Sequence, residues 1–140
     1  MKRALAGLLA VVMGGNGLAM LFAGLWWYGV VPGVPATGPY NPHFIKDIGA
    51  TSLVVALGLV WFALRQRQGW PALVAGAVFL DLHGFIHVAD AIASPVCGQN
   101  LLRDLPGIFV PAAIATALVA LSIPAKGEFD VESHLAPNHR

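Results

Sequence analysis

Charge is what this sequence has least of. Asp, Glu, Lys and Arg make up 11% of its 140 residues, against about 25% in a soluble domain. Hydrophobic residues make up 57%. Lipid rather than water is therefore the expected solvent for most of the chain. A net charge of +1 provides no basic surface, so nucleic acid is not an expected partner. Cysteine is nearly absent. Cys97 stands alone, which excludes an intrachain disulfide and any all-cysteine metal site. No Ser-His-Asp set is legible, since Ser52, Ser94 and Ser122 have no such neighbours. Gly14-Gly-Asn-Gly17 has no preceding strand and no following Lys-Ser/Thr, so it is not a phosphate loop. The length suits one domain, and no internal repeat is visible.

What is present is a succession of apolar runs. Met1-Lys-Arg3 opens the chain, and an apolar stretch follows to about Val31, broken by Asn16. A basic start before an apolar run also fits a signal peptide, but signal cores span roughly 7–15 residues. This run is longer and ends in Trp26-Trp-Tyr28, an aromatic cluster suited to a membrane interface. A retained transmembrane helix over about 4–31 is the expectation. Its glycines Gly7, Gly14, Gly15, Gly17 and Gly24 would form a packing face, because small residues let helices approach closely in lipid.

Three prolines and two glycines between Pro32 and Tyr40 mark a loop. Asn41 can cap a second helix, with Pro42 at its first position, over about 42–64. Arg65-Gln-Arg-Gln-Gly69 reads as a tight polar turn. Trp70-Pro71 would start a third helix, to about 94, and 95–106 would be a second loop. There Asp104 can cap a fourth helix, over about 106–123, and Pro111 can kink it. Residues 125–140 read as a flexible cytoplasmic tail, in which His134 and His139 are tail composition rather than a metal site. Each apolar segment is near the roughly 20 residues that span a bilayer. The fold class is therefore all-α: a four-transmembrane-helix antiparallel bundle, joined by short connections.

The cations divide between its two ends. Lys2, Arg3, Arg65, Arg67 and Lys126 fall on one side, and Lys46 and Arg103 on the other. The positive-inside rule then places both termini and the 65–69 turn in the cytoplasm.

Topology gives the polar residues a depth. At about 1.5 Å per residue, Asp90 lies roughly 6 Å from the outer end of the third helix, His87 about 10 Å and His83 about 16 Å. His83, His87 and Asp90 fall at i, i+4 and i+7, on one face. His43 and Asp47 share a face near the outer start of the second helix, beside Lys46. Asp81 points nearly opposite to His83, near mid-membrane. Its partner would be Asn16 at similar depth, or a group on a neighbouring chain. An aspartate at the membrane centre costs about 2.5–3.5 kcal/mol to insert, so it must be paired, protonated or hydrated.

Three readings of these residues compete. In the first, His43, Lys46, Asp47, His87 and Asp90 form a satisfied cluster that fixes helix register in a membrane accessory or structural protein. In the second, His83 and His87 face one transition metal or haem, and Asp90, His43 or Asp47 complete the shell. No Glu lies between the two histidines, so a zinc-protease mechanism finds no support. In the third, Asp90, His87, His83 and Asp81 relay protons for a small-solute transporter. That line stops at Asp81, below which the helix is Leu, Phe, Val and Ala. An enzyme is the less favoured class throughout. Lys46 either snorkels to the outer interface or neutralises Asp47 or Asp90.

Gly38-Pro-Tyr-Asn-Pro-His-Phe-Ile-Lys-Asp-Ile-Gly49 lies between an aromatic-ended first helix and a second helix. His83-Gly-Phe-Ile-His87 follows on the third. Over nearly the whole chain this layout resembles small bacterial four-helix inner-membrane proteins of the DoxX-like kind. The resemblance implies a four-helix fold and a bacterial inner-membrane location. It implies no catalytic residue. The partners it leaves open are the lipid bilayer, a second copy and another membrane protein.

Overall fold

The computed structural model describes residues 1–124, apart from the Cys97 side chain. The tail expected over 125–140, with His134 and His139, lies outside the described residues. Among the described residues all regular structure is helical: α1 (Lys2–Phe22), α2 (Gly24–Val30), a 3-10 turn (Val34–Thr37), α3 (Pro42–Leu64), α4 (Gln66–Ala93), α5 (Cys97–Asp104), a π-helical turn (Leu105–Phe109) and α6 (Val110–Leu121). Four stretches are long and apolar enough to cross a membrane: Lys2–Phe22, Pro42–Leu64, Gln66–Ala93 and Gly98–Leu121. The molecule is a multi-pass helical membrane protein.

Local chemistry sets the ends of these helices, in places differently from the sequence expectation. The Asn41 side chain accepts from the backbone amides of His43 and Phe44, both at 3.1 Å, and starts α3. These bonds satisfy two of the donors that a helix start leaves free. The first span breaks at Ala23, whose ψ of 36° leaves the helical region. Trp27 Nε1 donates to Asn16 Oδ1 across this break at 2.8 Å and holds α2 on α1. The polar turn expected at 65–69 is confined to Arg65, and α4 begins at Gln66. Gly69 explains this early start. A Cβ there would collide with the backbone of Phe62, so a glycine lets the first turn of α4 fold against the end of α3.

The expected second loop is also short. The chain is helical again from Cys97, so the fourth span begins well before residue 106. Pro111 does not simply kink it. A π-helical turn precedes Pro111, with the Val110 amide donating to Leu105 O, five residues back. Pro106 and Pro111 each lack an amide hydrogen, and their rings crowd the preceding turn. A wider turn relieves that crowding.

The spans pack as a meander: α1 on α3, α3 on α4 and α4 on α6, with a short contact between α6 and α1. One end of the bundle carries the apolar core. Ala6, Leu9, Ala10 and Met13 meet Val55, Ala56, Leu59 and Phe62, then Leu73, Ala77 and Leu80, then Ala112, Ala115 and Leu118. At the rim of that end Arg3 reaches Gln66 Oε1 at 3.4 Å, and Lys2 Nζ donates to Leu121 O. Toward the other end, α1 and α3 meet through glycines. A Cβ on Gly17 would lie 2.7 Å from Gly49 O, and one on Gly49 would lie 2.8 Å from Met20 Cβ. Gly7 and Gly15 face open space, so only part of the expected glycine face packs. Large apolar side chains such as Leu8, Val12, Phe22, Val54, Leu57 and Phe85 are exposed, as lipid-facing residues should be.

Candidate functional site

One polar residue on the last helical turns of α4, His87, is joined to α5. His87 Nδ1 lies 2.8 Å from Asp104 Oδ2. Arg103 grips the same carboxylate with both arms of its fork, Nε to Oδ1 at 2.7 Å and Nη2 to Oδ2 at 3.1 Å. A carboxylate so held only accepts, so His87 donates through Nδ1–H. Asp104 is 8% exposed, while the His87 and Arg103 side chains around it stay partly open at 30% and 34%. Bidentate, charge-assisted bonds are the strong class, and they suit such a place. Asp104 therefore does not cap the following turn, for its side chain makes no cap bond there.

The cluster extends both ways. Arg103 Nη1 donates to Asn100 Oδ1 at 3.0 Å. Its guanidinium also lies against Gly33, where a Cβ would approach within 2.5 Å of Nε and Cζ. Gly33 has φ +87°, a conformation that itself favours glycine. The loop after α2 thus closes over Arg103. Tyr28 steadies that loop by donating to the Gly38 and Pro35 carbonyl oxygens and by packing edge-on against Tyr40. In the other direction the His87 ring meets His83 edge-on, with centroids 4.8 Å apart. His83 in turn stacks on Phe79 at 6.0 Å, with the rings 10° from parallel. The result is a ladder along α4, running Phe79, His83, His87, Asp104 and Arg103.

The other expected members lie elsewhere. His43 and Asp47 pair with each other at 3.4 Å, with side chains 89% and 61% exposed. They turn outward because Ile45 and Gly49 are the buried positions of that turn of α3. A residue two places away in a helix lies about 160° round the axis. Lys46 and Asp90 are exposed, and neither bonds to another described residue. His43, Asp47, His83, His87 and Asp90 therefore do not form one shared cluster. Among the described residues no three His, Cys, Asp or Glu side chains are placed to hold one metal ion.

Asp81 also differs from expectation. Its Oδ2 accepts from Thr116 Oγ1 of α6 at 2.8 Å, and Asn16 is not its partner. Asn16 belongs to α1, which packs on α3, and its amide is taken by Trp27 and Met20. Asp81 faces the α6 side of α4.

Sequence reasoning missed Asp104, Arg103, Asn100, Gly33 and Thr116 as members of these networks. One signal was legible. Arg103-Asp104 falls in the segment that enters at the same membrane face as His87, so a titratable pair was already within reach of it. Nothing in the apolar run around Thr116 marks it out. Comparison of the chain with known protein families, with curated proteins and with solved structures gives no match.

Proposed function

We propose that this chain is a non-catalytic accessory subunit of a bacterial inner membrane. Its His87–Asp104–Arg103 cluster then serves to fasten the outer ends of its helices. The observation that carries this reading is the internal satisfaction of Asp104: a buried carboxylate whose two oxygens are both taken, by α4 and by its own α5. Such a cluster fixes register, and each of its carboxylate oxygens already has a partner within the chain. The exposed apolar belt supports life in lipid. Lys2, Arg3, Arg65 and Arg67 gather at one end, which supports placing both termini in the cytoplasm. The DoxX-like layout of the sequence supports the same location. The ladder ends on Phe79 while Asp81 turns to α6, which supports a local tie over a proton path across the bilayer.

A second reading rests on one specific arrangement. Metal-bound histidines commonly donate their other ring N–H to a carboxylate, and Asp104 holds His87 in that way. His83 sits one turn away. The pair could then bind a transition metal or haem, with remaining ligands from a partner protein.

One preparation separates the two. The accessory reading expects protein extracted from its native membrane in mild detergent to run in an assembly heavier than the monomer. It also expects no stoichiometric metal and no haem absorption band. A metal or haem lost in both His83→Ala and His87→Ala would replace it by the cofactor reading. A monomer alone, in every mild detergent tried, would sink the accessory role.

A further inference from the structure

Asp81 lies in the middle turns of α4, on a lipid-facing surface. Val78, Leu82 and Phe85 around it are all exposed, and the Asp81 side chain is exposed with them. Thr116 supplies one hydrogen bond, and no other described residue adds a second. A carboxylate offers about four acceptor positions. In water the rest would be hydrated, but in hydrocarbon they are not, and intramembrane acids are almost always turned inward or paired. Beside it the exposed face of α6 presents Ala113, Thr116, Ala117 and Ala120 between Val110 and Leu121 at its two ends, and these four central side chains are small enough for another helix to come close.

The geometry points to a docking face for a transmembrane helix of a different protein that carries one lysine or arginine at mid-membrane, seated on α4 and α6 and paired with Asp81. This deepens the accessory-subunit reading and rests on it. Charge complementarity selects the occupant. All eight cations of the chain are at positions 2, 3, 46, 65, 67, 103, 126 and 140, at span ends or outside the spans. A second copy has no lysine or arginine at this depth, and a two-fold contact on this face would set Asp81 against Asp81. A foreign helix with a central cation neutralises the carboxylate, and its backbone approaches over the alanines.

The test uses the full chain in phosphatidylethanolamine/phosphatidylglycerol vesicles with two synthetic transmembrane peptides. Both are twenty-residue Leu/Ala helices, one with a central Lys and one with Leu at that place. Energy transfer from a donor at the protein N-terminus to an acceptor on the peptide reports association. The Lys peptide should bind at least tenfold more tightly than the Leu peptide. Asp81→Leu should abolish the difference, and it should fold, since it puts an apolar side chain on a lipid face. Ala117→Leu keeps the charge but fills the approach path, and should weaken the Lys peptide by at least fivefold. A Lys peptide that binds no better than its Leu control, or equally well to Asp81→Leu, overturns the proposal. Unchanged binding to Ala117→Leu does so too, because unspecific charge attraction would then suffice. Crosslinked homodimers that vanish in Asp81→Leu would give this face to a second copy, and so overturn it. The peptide assay needs no native assembly, so its failure is distinct from that of the accessory reading.

Discussion

The two ends of this bundle are held together in different ways. At the end that carries the N-terminus, Phe62, Leu59, Leu73 and Leu118 are fully or almost fully buried among alanines and a methionine. At the opposite end Met20 and Ile45 are buried, and so is a group that is not apolar. It is Asp104, with His87 and Arg103 around it and a glycine loop laid over the guanidinium. In a membrane this contrast has a physical basis. Lipid tails are as apolar as leucine, so apolar helices associate through close packing rather than through escape from water. Packing is dense where the four spans run side by side. At the opposite end of the bundle the chain spreads into a 3-10 turn, α5 and a π-helical turn. There, directional bonds hold pieces too short to pack. The lesson is that a titratable cluster at a membrane interface can be the local substitute for a core.

The strongest way to break this comparison is to swap the costs. Phe62→Ala should destabilise the protein by about 3 kcal/mol. That is the lower end of the range for a buried phenylalanine, because the alternative solvent is lipid and the transfer contribution is small. Denaturation by increasing SDS, followed by circular dichroism, measures it. Next in size, Asp104→Ala should cost about 2 kcal/mol, in line with bonds to charged groups. Hydrogen exchange should show where each loss falls. Asp104→Ala should open residues 97–109 and leave α1 and the inner half of α3 protected, whereas Phe62→Ala should lower protection throughout. If Asp104→Ala costs more than Phe62→Ala, or opens the whole bundle, the polar end is the main clamp and the contrast is inverted.

How much of this was legible in the sequence follows from the same contrast. The spans are written as long apolar runs, so four of them could be read from Ala4 to Ile123, and Asn41-Pro42 marked one start outright. The helix over 97–104 could not be read that way. Its Gly, Gln, Asn, Arg and Asp resemble a loop by composition, and its tie to the fold is the Asp104 bond to His87 of α4. On the site, period and depth brought His83 and His87 to one face of α4, where they do meet. The same reasoning also drew in His43 and Asp47. It lacked the rotation of α3 about its axis, which Ile45 and the Gly17–Gly49 contact set. Register between helices is a property of packing, and a single sequence does not carry it.

That contact gives a smaller prediction, one that sharpens the comparison midway between the ends. Gly49→Ala places a Cβ at 2.8 Å from Met20 Cβ and 3.0 Å from Gly17 O. Both helices must move apart, and the cost should be about 1–2 kcal/mol, as for other overpacked interiors. Gly15→Ala, which meets nothing within 4 Å, is the matched control, and it should be neutral or slightly stabilising because alanine favours a helix. Equal losses from both would mean that the effect is one of helix propensity or of lipid contact, and that α1 and α3 are not in close contact at Gly49.

The smallest effect is expected at the pair that the sequence placed in the site and the fold leaves outside it. His43 and Asp47 are exposed on α3, and their side chains pair with each other. Exposed ion pairs contribute little, because two long-range partners in a high-dielectric setting gain little and lose freedom. His43→Ala and Asp47→Ala should therefore leave the SDS midpoint and the protection of 97–109 unchanged within error. His87→Ala should lower both, by more than the average membrane hydrogen bond of about 0.6 kcal/mol, since it strips a partner from a buried carboxylate. The two histidines stand at the same end of the bundle, so the difference between them isolates what Asp104 adds. A His43→Ala loss equal to that of His87→Ala would mean that α3 belongs to the outer cluster after all, through contacts that form only in the membrane or with a partner. The outer end would then be one polar layer, as the sequence pattern alone suggests, and not a local tie between α4 and α5.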